Sequence, residues 1–241
     1  MSNDSAIDSL LSDLVAANRI LAQHGVLDGF GHVSIRDPRD PKHYLMSRSL
    51  APALVTETDI VLHDMDNDAV LVADRDKKLY YERWIHGEVY RARPDVGAIV
   101  HSHSPTVVPF ASTPVALRPL LHNASFLGFG APVFEIRDMV PDSDLMISSA
   151  DLARAMASRL GDSACIVLLR GHGNVVVAQD LQTVVFRAYY TEINARQQFH
   201  AMSMAGDEVV YMTPEECATT DRIMIASAER PWNLWKQSVR R

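Results

Sequence analysis

The chain has 241 residues, 47% hydrophobic, 22% charged and 7% aromatic, which excludes disorder, collagen-like repeats and a disulfide scaffold. Lys plus Arg number 23 and Asp plus Glu 30, a net charge of −7 with no basic block before Arg240 and Arg241, so nucleic-acid binding is not expected. No apolar run approaches the roughly 20 residues of a membrane span. The N-terminus MSNDSAIDSLL carries no basic stretch ahead of its apolar residues, and Cys165 and Cys217 form no CxxC pair, so the expectation is a soluble, cytoplasmic, disulfide-free protein.

Over residues 4–24, Ile7, Leu10, Leu11, Leu14, Val15, Ile20 and Leu21 recur mostly at three- and four-residue intervals, predicting an amphipathic helix capped by Gly25. Short β-like segments at 32–36, 44–47, 59–63 and 69–72, separated by DPRDPK and DMDND, predict an antiparallel meander. Residues 80–93 read as a helix stopped by Pro94, 98–103 as a buried strand and 105–111 as a further helix. Strands are predicted at 116–121 and 132–136, a helix at 149–160, and two strands, 165–170 and 174–178, around the turn RGHG. A long helix over 181–205 and a helical tail from about 214, broken near Pro231, complete the chain. No repeat, low-complexity segment or linker interrupts residues 1–241, so the fold class is α/β: one domain whose mixed or antiparallel central sheet is covered by helices.

His101 and His103 stand in AIVHSHSP, where strand side chains alternate and residues i and i+2 point to one side. Two imidazoles converge there, as half of a metal site or as ordinary core residues. His172, in LLRGHGNVVVA, lies between glycines that let the backbone bend tightly; it is either a third nitrogen ligand or a hairpin-turn residue facing water. Glu82 stands nineteen positions before His101 and opens YERWIHGEVY, where it offers an oxygen ligand, a general base or a solvated carboxylate. By spacing alone, His86 and Glu88 compete with it.

Taken together, GHVSIRDP, the segment 82–94, RPDVGAIVHSHSP and LLRGHGNVVVA resemble, in order and spacing, the class II aldolase/adducin family over about residues 4–205. The resemblance implies αβα layers around a largely antiparallel sheet and a homotetramer with active sites between subunits. It makes His101, His103 and His172 the ligands of one divalent metal per subunit, Zn2+ or Mn2+ with Fe2+ also suited, and Glu82 the acid/base or fourth, displaceable ligand. Lewis-acid lyase chemistry requires the same open position beside three nitrogens.

Departures from the family pattern bear on substrate. Its sugar-phosphate members hold phosphate with a Gly-Asn-x-Ser segment, a Thr/Ser-Gly loop and paired serines before the glutamate; this chain has Gly31-His32-Val33-Ser34, Ser47-Arg48-Ser49-Leu50 and Tyr80-Tyr81. Two tyrosine rings fill the space that small hydroxyls leave for phosphate, which predicts a flat substrate without phosphate. Arg48 offers a planar fork to a carboxylate, with Ser47 in the same loop and His32 as the other candidate, although a surface ion pair also accounts for Arg48 and an ordinary loop histidine for His32. No tyrosine stands in RPLLHNASF, where family aldolases contribute one from the neighbouring subunit, and His122 is either the nearest group there able to move a proton at neutral pH or an ordinary core or surface histidine. Trp232 and Trp235 are three apart on a possible helix face, either closing an aromatic pocket across a subunit boundary or packing the tail on its own domain.

Members that look most similar include decarboxylases of hydroxylated aromatic or heteroaromatic acids, and that is the expected function, in aromatic-compound catabolism. The alternatives are a lyase releasing formaldehyde or another small aldehyde from a non-phosphorylated substrate, and an adducin-like binding protein without catalysis.

Overall fold

Leu14, Ala17, Ile20 and Leu21 are fully buried along one side of the first helix, α1 (Asn3–Gln23), in the computed structural model, which describes residues 3–66 and 77–239. The predicted meander follows as β1 (His32–Arg36), β2 (His43–Ser47) and β3 (Ile60–Asp64), each antiparallel to the next. The strand predicted at 69–72 lies outside the described residues. A short helix, α2 (Trp84–Ala92), then leads to β4 (Ala98–Ser102), which returns beside β1 with His32 opposite His101.

The second half adds α3 (Val108–Ala111), β5 (Val133–Phe134), α4 (Ala150–Leu160), β6 (Ile166–Leu169) and β7 (Gly173–Ala178). The seven strands form one sheet in the order β3-β2-β1-β4-β7-β6-β5, in which only β5 and β6 pair in parallel. The class is therefore α/β with a mixed, largely antiparallel sheet. Alternation along β4 divides two cores: Ala98 and Val100 pack on the side of α1, while Ile99 faces α2 and α4 with Val175 and Val177. His101 lies opposite Val175 and so shares the α2 face.

A long helix, α5 (Leu181–Ala205), starts where the Asp180 carboxylate accepts the Thr183 N–H at 2.7 Å. The predicted strand at 116–121 does not form; that segment runs extended along α5 and borrows its partners from two side chains one helical turn apart. Asn194 accepts the N–H of Leu120 and Leu121 and donates to the Arg118 carbonyl, while Gln198 accepts from Arg118 N–H and donates to the Ala116 carbonyl. These buried amides replace a neighbouring strand.

The tail is two helices, α6 (Pro214–Ser227) and α7 (Glu229–Ser238), and the break falls at Ala228. Pro231 sits in the first turn of α7, where a missing N–H costs no helical bond. Trp232 and Trp235 are buried within this chain, with Trp235 against His24 and Tyr189, so the pair fastens the tail to its own domain. No described helix is long and apolar enough to cross a membrane.

Candidate metal centre

The end of β4, the turn after β6 and the turn before α2 bring four side chains to one point. Ligand atoms of Glu82, His101, His103 and His172 all lie within 4.8 Å of one another. His103 Nε2 and His172 Nε2 are 3.1 Å apart, and Glu82 Oε2 is 3.5 Å from His101 Nε2 and 3.4 Å from His172 Nε2.

Backbone groups aim these rings. His101 Nδ1–H donates to the Asn174 carbonyl at 3.1 Å and His172 Nδ1–H to the Leu145 carbonyl at 2.9 Å, which turns both Nε2 atoms inward. Leu145 holds φ at +70°, a strained value for a residue with a side chain, so about 1–3 kcal/mol of backbone strain accompanies this carbonyl. Glu82 Oε1 accepts the Ile147 N–H at 2.9 Å, leaving Oε2 for the cluster. Glycine is required beside His172: Gly171 has φ +68°, and a methyl on Gly173 would collide with the Ser102 carbonyl between the two histidines of β4.

The donor set fits a cation. His101 Nε2 is buried without a hydrogen-bond partner among the described residues, and bare ring nitrogens turned toward each other and a carboxylate repel unless positive charge lies between them. Burial would push Glu82 up, but the neighbouring His101 and His172 overcome it and hold the carboxyl well below its usual range. Burial likewise opposes charge on His172, yet its contact with Glu82 wins and raises it. Burial, then the neighbouring His101 and His172, push His103 down to about 4. Three nitrogens and one oxygen suit zinc geometry and also Mn2+ or Fe2+.

Beside the cluster lies a cleft of about 430 Å³, within the range of small-molecule sites, walled by Phe30, Leu50, Lys78, Tyr80, Tyr81 and Met146. Tyr80 is buried with its hydroxyl donated to the Leu50 carbonyl at 2.6 Å, and Tyr81 is 60% exposed at the lip. His32 lines the cleft too, its ring 4.4 Å from that of Tyr80 and 5.0 Å from that of His101.

Residues 12–199 match the family described as Class II Aldolase and Adducin N-terminal domain. The chain belongs to that family. Among curated proteins, this class II aldolase/adducin member is 34% identical to Decarboxylase tropJ of Talaromyces stipitatus over 93% of this chain and 92% of that one. It is 28% identical to the 3,4-dihydroxyphthalate decarboxylase of Arthrobacter keyseri, over 80% and 79% of the two chains. The fold matches that of L-fuculose 1-phosphate aldolase from Glaciozyma antarctica with a TM-score of 0.79 at 20% identity, covering 99% of this chain and 92% of the other. Like its aldolase and decarboxylase relatives, this member of the family is a lyase.

Other residues singled out in the sequence take different places. Ser47 is buried behind the cleft, its hydroxyl 3.2 Å from that of Tyr80. Arg48 gives its Nε–H to Asp59 at 2.7 Å and is not among the cleft-lining residues. His122 is exposed at the head of a 3-10 segment and is likewise outside its own chain's cleft. The competitors of Glu82 are otherwise engaged: Glu88 pairs with Arg91 and Arg154, and His86 is hydrogen-bonded to His32 and Ser34. Phe30, Lys78 and Met146 were missed in the sequence, since three separated loops bring them together and no local pattern marks them.

Proposed function

We propose that this lyase decarboxylates a non-phosphorylated, hydroxylated aromatic or heteroaromatic carboxylic acid. One observation carries the reading: the wall beside the histidine cluster is built of Tyr80, Tyr81 and Phe30, flat surfaces where the sugar-phosphate members it resembles carry paired serines. The identity to a decarboxylase over nearly the whole chain supports it.

His101, His103 and His172 hold a divalent metal, Zn2+ or Mn2+ with Fe2+ also suited, and Glu82 is the fourth, displaceable ligand or the group that moves a proton. Bound there, such a cation supplies Lewis acidity that lowers the cost of negative charge on the carbon losing CO2. Ile147 fixes one oxygen of Glu82 and leaves the other free to hold that proton. Tyr80 and Tyr81 offer flat surfaces to the ring and restrict water, His32 faces the substrate carboxylate, and Lys78 adds positive charge to the wall. The exposure of His122 outside its own cleft is compatible with a site completed by a neighbouring subunit; the protein is read as a cytoplasmic homotetramer in which His122 returns a proton to the ring carbon.

The test is incubation of protein reconstituted separately with Mn2+ and Zn2+ against a panel of ortho-hydroxylated aromatic acids, following dissolved CO2 and product mass. Loss of a carboxyl-sized mass with stoichiometric CO2 is expected. No CO2 from metal-loaded protein across the panel, with an aldehyde released from hydroxymethyl substrates, overturns the reading in favour of aldol-type cleavage.

A further inference from the structure

From the cleft a second row of polar side chains runs inward between β1 and α2. The Tyr90 hydroxyl is 2.8 Å from Ser34 Oγ, Ser34 Oγ is 2.6 Å from His86 Nδ1, and His86 Nε2 is 2.6 Å from His32 Nδ1. All four side chains are buried. Between neutral groups each link holds one proton, and because a buried proton without an acceptor is costly, the direction of the first link sets the arrangement that satisfies the rest.

Two acceptors compete for the Tyr90 O–H. Ser34 Oγ is at 2.8 Å; the Gly97 carbonyl is at 3.5 Å and already accepts the Arg36 N–H at 2.8 Å. Tyr90 therefore donates to Ser34. Among the described residues His86 Nδ1 is the acceptor left for the buried Ser34 O–H, so Ser34 donates to it rather than lose its hydrogen bond, which leaves the His86 proton on Nε2, donated to His32 Nδ1. The His32 proton falls on Nε2, the one ring nitrogen outside the chain on a side chain that lines the cleft.

We propose that Tyr90, Ser34 and His86 are positioning residues that lock His32 as its Nε2–H tautomer, making it a neutral hydrogen-bond donor for an anionic oxygen of the substrate beside the metal cluster. The lock explains why a fourth imidazole so close to His101 is left out of that cluster. Identifying the anion as the carboxylate of an aromatic acid rests on the proposed decarboxylation, whereas the tautomer does not.

The experiment is a long-range 1H–15N correlation spectrum of zinc-loaded protein labelled at the histidine ring nitrogens, with His32 and His86 assigned by loss of signals in His32→Gln and His86→Gln. Bare Nδ1 and protonated Nε2 are expected on both rings. A protonated Nδ1 on His32, alone or with Nε2, overturns the proposal, and this readout stands whether or not any acid is decarboxylated. In Ser34→Ala, which removes the donor to His86, both tautomers of His32 should appear with zinc content unchanged; a single unaltered tautomer counts against the lock. With an active substrate, Ser34→Ala should lower kcat/KM about tenfold, and Ser34→Ala/His32→Gln should be no slower than His32→Gln alone. Additive losses would show that Ser34 acts elsewhere than through His32.

Discussion

Two groups of histidines lie side by side on one face of the same sheet, and their hydrogen bonds separate them. In the outer group, His101 and His172 spend Nδ1 on backbone carbonyls and turn Nε2 toward each other, His103 and Glu82. In the inner group, His86 spends both nitrogens, on His32 and Ser34, and His32 spends its Nδ1 on His86. Carbonyl partners leave lone pairs facing an enclosed point, which a cation satisfies; side-chain partners consume them, and the rings become a scaffold. Proximity of imidazoles alone does not make a metal site.

The largest effect should come from breaking the outer group. His101→Ala removes a ligand whose Nε2 is buried and unpartnered, so bound metal and turnover should both fall below detection, as read by elemental analysis and CO2 release. Turnover retained by metal-free variant protein would falsify the assignment. His86→Gln, by contrast, should keep its metal, because His86 contributes no nitrogen to the cluster.

A third condition sharpens the comparison. His63, on β3, stacks on Tyr44 at 4.7 Å and 9°, yet neither of its ring nitrogens has a hydrogen-bond partner among the described residues. Burial, with Arg83 adding to it, pushes this imidazole down from 6.5 to about 4. Between those values the unfolded chain takes up a proton that the folded chain refuses, so stability is full above about pH 6.5 and is lost as pH falls toward 4. The difference corresponds to about 3 kcal/mol. His63→Leu should remove that share of the acid sensitivity, measured as the change in urea midpoint between pH 7 and pH 4 relative to the parent protein; an unchanged slope would mean that His63 is solvated and titrates normally.

Legibility in the sequence follows the range of the interactions. Period-two alternation is local, so the sequence places His101 and His103 on one side, whereas the glycines beside His172 leave a ligand and a hairpin-turn residue both open, and it is the family resemblance that groups the three with Glu82. The apolar pattern of 116–121 was misleading for an equally physical reason: an extended segment satisfied by Asn194 and Gln198 looks in sequence like one satisfied by a strand. Nothing near His86 announces partners more than fifty positions upstream, and Trp235 meets His24 only after the whole chain has closed. Side-chain roles that depend on such distant partners emerge only with the fold.

The smallest effect concerns two cations near the cleft. The fork of Arg48 resembles a carboxylate clamp in sequence, but the structure ties its Nε–H to Asp59, which also accepts from Thr56. Lys78 lines the cleft and makes no such pair among the described residues. If carboxylate binding uses the cation at the wall, Lys78→Gln should raise KM about three- to tenfold, in keeping with a partly solvated charge-assisted hydrogen bond. Arg48→Gln should change it by less than about twofold, since a half-exposed ion pair contributes little. The reverse order would mean that Arg48 exchanges Asp59 for substrate on binding. In that case Asp59→Asn, by releasing the arginine beforehand, should lower KM, whereas it should leave KM unchanged if Lys78 holds the carboxylate.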